Sequence, residues 1–216
     1  MSEDRRLQHA VLAELAWDPS VTAGHIGVSA EVGVVTLTGH VETFAEKSAA
    51  EAAAHRVKGV KAVVEEIKIK LACDVNRSDE DIAAAAANCI AGDVCVPSDA
   101  VKVTVEQGWI TLDGEVDWNF QKETAEQCVH RLLGVVGVTN MITIKPKVDV
   151  SNIQDDITHA LNRSWFFDPQ TISVTARGGR VRLVGTVKSP HERQVAAATA
   201  WSASGVTDVE NELAIA

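Results

Sequence analysis

The chain has 216 residues, 46% apolar and 23% charged, and a net charge of −10. That composition describes a globular protein with room for one large domain or a few small ones. Residues 1–74, 75–147 and 148–216 carry net charges of −3, −5 and −2, so no part offers the basic footprint of a nucleic-acid binder.

Bulk charge also opposes an anionic membrane surface, which only a local patch can override. No apolar run approaches the ~18 residues of a transmembrane span. The opening MSEDRRLQHAVLAELAWDPS lacks the apolar stretch and small-residue cleavage site of a secretory signal. The expectation is therefore a cytoplasmic protein, with the periplasm as the alternative for a chain whose signal has been removed.

Two signatures recur three times. Gly33-VVTLT-Gly39 matches Gly108-WITLD-Gly114 and Gly179-RVRLV-Gly185, at offsets of 75 and 71 residues. Gly59-VKAVVEEIKI matches Gly134-VVGVTNMITI and Gly205-VTDVENELAI at the same offsets. The 20-residue interval from Gly39, Gly114 or Gly185 to the downstream glycine never changes, so the chain is a tandem repeat.

In the first copy Leu7, Val11, Leu12 and Leu15 share one face of a helix that stops near Asp18-Pro19. Ile26, Val28 and Ala30 alternate as a strand, Val32-Gly33 turns, and Val35 and Leu37 point inward from a second strand. Thr43 caps a second helix with Ala49, Ala52 and Ala53 inward, Gly59 ends it, and Val63, Ile67 and Ile69 form a third strand.

In the second copy Ser78 caps a helix with the stripe Ile82, Ala86 and Ile90, ending at Gly92. Val101, Val103 and Val105 lead to the Gln107-Gly108 turn and to Ile110 and Leu112. Trp118 occupies the column of Thr43, so Asp117 or Asn119 is expected to cap instead.

In the third copy Ser151 or Asn152 caps a helix carrying Ile153, Ile157 and Leu161, which stops near Asp168-Pro169. Ile172, Val174 and Ala176, the Gly178-Gly179 turn, and Val181 with Leu183 make the hairpin. Ser189 caps, Pro190 takes the first helical position, and Val195, Ala198 and Thr199 face inward. The fold class is α+β: three tandem αββαβ units at 1–72, 76–147 and 148–216, each a three-stranded sheet with two helices on one face.

These residues resemble the BON domain, the bacterial OsmY and nodulation module. Its pattern is a glycine after the second strand, V-x-S-x-x-E-R, an alanine-rich helix, and G-V-x-x-V-x-N-x-L. The third copy fits through Gly185, Val187, Ser189, Glu192, Arg193, Gly205, Val206, Val209, Asn211 and Leu213. The second keeps Gly114, Val116, Gly134, Val135, Val138 and Asn140, and the first has Glu65 at the asparagine column. The resemblance implies a non-enzymatic module. Several members are periplasmic and osmotically induced, phospholipid binding is proposed for the domain, and one relative joins it to a LysM module and binds potassium. No LysM segment is visible in this chain.

No catalytic constellation accompanies the repeats. HExxH, a Ser/His/Asp arrangement, GxGxxG and a Walker loop are all missing. No cofactor and no metal is expected. Cys73, Cys89, Cys95 and Cys128 belong to the middle copy and its entry. They are expected to be small buried apolar residues in a reducing compartment, in preference to a Cys89/Cys95/Cys128/His130 metal site.

The binding candidates are Trp109 on the outer sheet face, Trp118 at the start of a second helix, and a basic edge in the third copy. Trp109 and Trp118 either pack between repeats or protomers, or meet lipid as interfacial indoles. Arg177, Arg180 and Arg182 either meet phosphate or form a solvated strand edge. The leading expectation is stress-linked binding to phospholipid or envelope surfaces. The alternatives are a protein-interaction or self-assembly scaffold, homo-oligomers included, and a small-ligand or cation sensor.

Overall fold

The computed structural model describes residues 3–70, 77–97, 99–146, 152–164 and 171–215. The first repeat runs α1 (Glu3–Trp17), β1 (Ile26–Glu31), β2 (Val34–Val41), α2 (Phe44–Arg56) and β3 (Ala62–Ile69). The second runs α3 (Asp79–Gly92), β4 (Val101–Glu106), β5 (Trp109–Val116), α4 (Asn119–His130), β6 (Gly137–Asn140) and β7 (Thr143–Ile144). The third runs α5 (Ile153–Arg163), β8 (Ile172–Arg177), β9 (Arg180–Val187), α6 (Pro190–Trp201) and β10 (Asp208–Ile215).

The hairpin supplies an antiparallel pair and the helical crossover a parallel one, so the second strand of each repeat is central. Val28 lies opposite Leu37 and Val35 beside Val63 in the first repeat. Val174 lies opposite Leu183 and Val181 beside Val209 in the third. In the middle repeat the order is β4-β5-β6, and β7 also pairs with β5. Its third strand therefore comes in two pieces.

Contacts divide the chain into two compact units. One comprises Met1–Cys89, Val103–Thr111 and Gln127–Thr139; the other comprises Ile90–Lys102, Leu112–Glu126 and Asn140–Ala216. The division passes through the middle repeat. In the first unit Val11, Leu15, Val35, Leu37, Val41, Ala50, Ala54 and Ile67 form a buried core. In the second, Ile157, Leu161, Val181, Leu183, Val187, Ala196, Ala200 and Leu213 occupy the same columns 146 positions later.

Three local expectations are corrected. The buried stripe of α2 is Ala50, Ala53 and Ala54 rather than Ala49, Ala52 and Ala53, and α6 buries Ala196 and Ala200 while Ala198 is exposed. The second helices end at Arg56, His130 and Trp201, before Gly59, Gly134 and Gly205, which close the following turn with φ of +100°, +94° and +85°. The helix α5 ends at Arg163, and Asn152 stands at its N-cap without a side-chain capping bond. Ser151, Asp168-Pro169 and Cys73 lie outside the described residues.

The caps of α2 and α6 follow the pattern, and the expected Asp117 or Asn119 cap of α4 is not formed. Thr43 and Ser189 accept from the Glu46 and Glu192 N–H, whose carboxylates take the Glu42 and Lys188 N–H in return. At α4, Gln121 Oε1 accepts from both Asp117 and Trp118 N–H, and Asn119 turns its amide to Glu123 instead of capping.

Gly39, Gly114 and Gly185 have φ of +116°, +150° and +145°. Each faces the backbone carbonyl that precedes its partner strand, of His25, Ala100 and Thr171, so closely that a Cβ would overlap the oxygen. Only glycine meets both demands.

Candidate functional site

The tips of the three hairpins share one backbone. Val32 and Gly33 have φ of +50° and +85°, Gln107 and Gly108 +51° and +76°, and Gly178 and Gly179 +56° and +85°. Two consecutive left-handed residues make the tight turn that suits the strand twist. The glycine carbonyl accepts the first N–H of the third-strand segment in every repeat: Lys61 to Gly33 at 2.9 Å, Val136 to Gly108 at 3.0 Å, and Thr207 to Gly179 at 2.8 Å.

The outward N–H groups differ between repeats. Asp4 accepts from the Val32 N–H at 2.9 Å. Asp79, 75 residues on, accepts from the Gln107 and Gly108 N–H, each at 2.8 Å. Residue 150, at the same column of the third copy, is valine. Among the described residues nothing accepts the Gly178 or Gly179 N–H. At the sequence level Asp79 reads as a helix N-terminal carboxylate, and extending the repeat register into the first helices reveals the aspartate column.

The flanks change as well. Glu31 and Val34 close the first turn, and Glu106 and Trp109 stand at those places in the second. Arg177 and Arg180 close the third as cross-strand partners. Among the described residues neither arginine makes an ion pair or hydrogen bond. They line one cleft with Arg182, Gln154, Asp208 and Glu210. Arg182 is already engaged: its Nη2 lies 2.6 Å from both Glu212 oxygens, and its Nε lies 3.6 Å from Glu210. The Glu212 hydrogen bond, with the charges of Glu212 and Glu210, raises the pKa of an arginine that is charged in any case. The expected trio is thus one place in the fold with two uncommitted cations.

The two tryptophans lie elsewhere. Trp109 lies over Gly137 on the neighbouring strand, where any side chain would overlap the ring, and its Nε1–H donates to Thr139 Oγ1 at 2.8 Å. It is 48% exposed. Trp118 lines a cleft of ≈ 360 Å³ with Asn119, Phe120 and, from α6, Ala198 and Trp201. A related pairing occurs between the first two repeats, where Phe44 at the start of α2 meets His130 at the end of α4, ring centroids 4.8 Å apart. Asn119 is in the Phe44 column, and Trp201 in the His130 column.

The cysteine expectation is overturned. Cys89 on α3 and Cys128 on α4 form a disulfide, with Cα atoms 6.2 Å apart, and Cys95 is free and exposed. The two helices pack side by side at a separation that suits a disulfide. Two of the four imagined metal ligands are thereby consumed.

A model of the BON domain matches residues 3–70, 78–146 and 149–216. The chain is 31% identical over 148 residues to osmotically-inducible protein Y of Escherichia coli, covering 66% of this chain and 73% of that one. Two solved structures of CdsD, the structural protein of the type III secretion system of Chlamydia trachomatis, are also similar. One is 16% identical, covers 98% of this chain and 93% of that chain, and has a TM-score of 0.26. The other, its C-terminal domain, is 15% identical with full coverage of both and a TM-score of 0.27. TM-scores of that size carry no further argument.

Proposed function

Because the chain belongs to the BON-domain family, which matches it three times over, we propose that it is a non-enzymatic protein of the osmotic-stress response that docks on phospholipid surfaces. The observation that carries this reading is the uncommitted Arg177–Arg180 pair at a hairpin tip in an otherwise acidic chain. Guanidinium groups hold phosphate oxygens in a fixed fork, and Val184, farther along β9, is an exposed apolar residue. The Cys89–Cys128 disulfide supports an oxidising compartment such as the periplasm over the cytoplasm.

Vesicle co-sedimentation tests the reading. Binding rises with the fraction of phosphatidylglycerol and falls with salt. Arg177→Glu with Arg180→Glu lowers it by more than about tenfold, since each basic residue near an anionic surface is worth about 1 kcal/mol. No sedimentation with any vesicle composition would sink the lipid reading.

A further inference from the structure

We propose that the Gly178–Gly179 turn is an anion nest for a phosphate oxygen, built on the backbone that binds an aspartate in the other two repeats. The proposal deepens the lipid reading above and shares its arginines, but the nest does not require that the phosphate come from a lipid.

The three turns form an internal comparison. Their dihedrals agree closely, and each is held from below by the third-strand N–H on the glycine carbonyl. In two of them a carboxylate completes the turn: Asp4 on Val32, and Asp79 on Gln107 and Gly108. The left-handed turn therefore presents its N–H groups to an anion, as consecutive N–H groups in such conformations do.

The third repeat keeps the turn, and among the described residues no carboxylate reaches its N–H groups. Its column holds Val150, whose side chain accepts nothing, and Asp149 stands one position off that column. It also reverses the flanking charge, since Arg177 stands where Glu31 and Glu106 stand in the other copies. Removing the carboxylate alone would leave an ordinary solvated turn. Removing it while placing uncommitted arginines at both flanks exchanges a built-in anion for an external one.

Bulk charge does not explain such a site. Asp208 neighbours Arg180 across β9 and β10, and Glu210 lies in the same cleft, already shared with Arg182. Recognition rests on two directed N–H donors with two guanidinium groups beside them. That arrangement favours a compact multivalent anion with several oxygens, which phosphate is and chloride is not.

The test is amide NMR on the full chain at constant ionic strength. Inorganic phosphate is expected to shift the Gly178 and Gly179 cross-peaks saturably, leaving Gly33 and Gly108, whose turns hold aspartates, in place. Val150→Asp, which gives the third repeat the aspartate of the Asp4 and Asp79 column, weakens phosphate binding by about tenfold or more. Arg177→Gln with Arg180→Gln weakens it about tenfold while the melting temperature is kept. Equal or non-saturating shifts at all three turns, the same response to chloride, or unchanged affinity in Val150→Asp would overturn the nest.

Phosphatidylglycerol vesicles in phosphatidylcholine form a second arm. If they perturb the same two glycines, the phosphate is a lipid headgroup. If free phosphate does so and vesicles do not, the nest stands with a soluble phosphate ligand and the lipid reading falls.

Discussion

At the scale of single residues, local hydrogen bonds lower the pKa of one exposed carboxyl of the first repeat. Asp18, just past α1, accepts from Ser20 Oγ at 2.5 Å and Ser20 N–H at 3.0 Å, and Arg56 Nη2 lies 2.7 Å from its second oxygen. The Ser20 hydroxyl is the largest cause, followed by Arg56, and together they lower its pKa to about 2. A depressed carboxylate contributes stability above its unfolded value near 3.8, and that contribution is lost as pH falls through about 2. A carboxyl-carbon NMR titration is expected to find the Asp18 midpoint near 2. Ser20→Ala moves it upward more than Arg56→Gln does. A midpoint near 4 in the parent chain would contradict the bonding.

The element scale is governed by the column of Glu65, Asn140 and Asn211. Each side chain accepts the N–H two residues on, from Ile67, Ile142 and Leu213. The asparagines also donate to the second helix: Asn140 to Lys122 O at 3.0 Å and to Glu126 at 2.9 Å, and Asn211 to Arg193 O at 3.1 Å. Glu65 cannot donate, and the Lys47 ammonium at 2.9 Å takes over the link. The asparagine therefore ties helix to strand. Asn140→Ala is expected to cost about 1–3 kcal/mol in denaturant melts, because it leaves part-buried partners unpaired. Lys47→Ala is expected to cost about 1 kcal/mol, as a partly exposed ion pair does.

The same elements show what a reader of the chain alone can recover. The hairpins and their turns are legible because the second turn residue and the crowded position late in the second strand are glycine in every copy, so the constraint is written in residue identity. The phase of α2 is not. Its inner surface lies within AAEAAAH, where alanine occupies both faces and hydrophobic contrast vanishes. The end of that helix is hidden for a related reason: a glycine marks a left-handed residue without saying whether it belongs to the cap or to the turn beyond it. Of the candidate site, the arginine cluster could be read directly. The aspartate-bearing turns could not, because the carboxylate and its N–H partners are 28 or 29 residues apart.

For the molecule as a whole, the middle repeat differs in kind from its neighbours. Its Cys89–Cys128 link closes a loop with a sequence separation of 39 and crosses the two helices of one repeat. Spacing could not reveal it, since pairing depends on how α3 and α4 pack. A loop of that size lowers the entropy of the unfolded chain enough to stabilise the repeat by about 4 kcal/mol in the chain-entropy account.

The link also has a mechanical consequence. Tension applied between the chain ends passes through the sulfur bridge and bypasses β4, β5 and most of α4, which lie inside the closed loop. While the bridge is intact, those residues cannot be drawn out even after the repeat yields. Optical-tweezer traces are therefore expected to show a contour-length gain smaller by roughly 130 Å in the oxidised protein than after reduction, a difference set by residues of about 3.4 Å each. The central repeat thus carries a limit on how far the chain can be stretched.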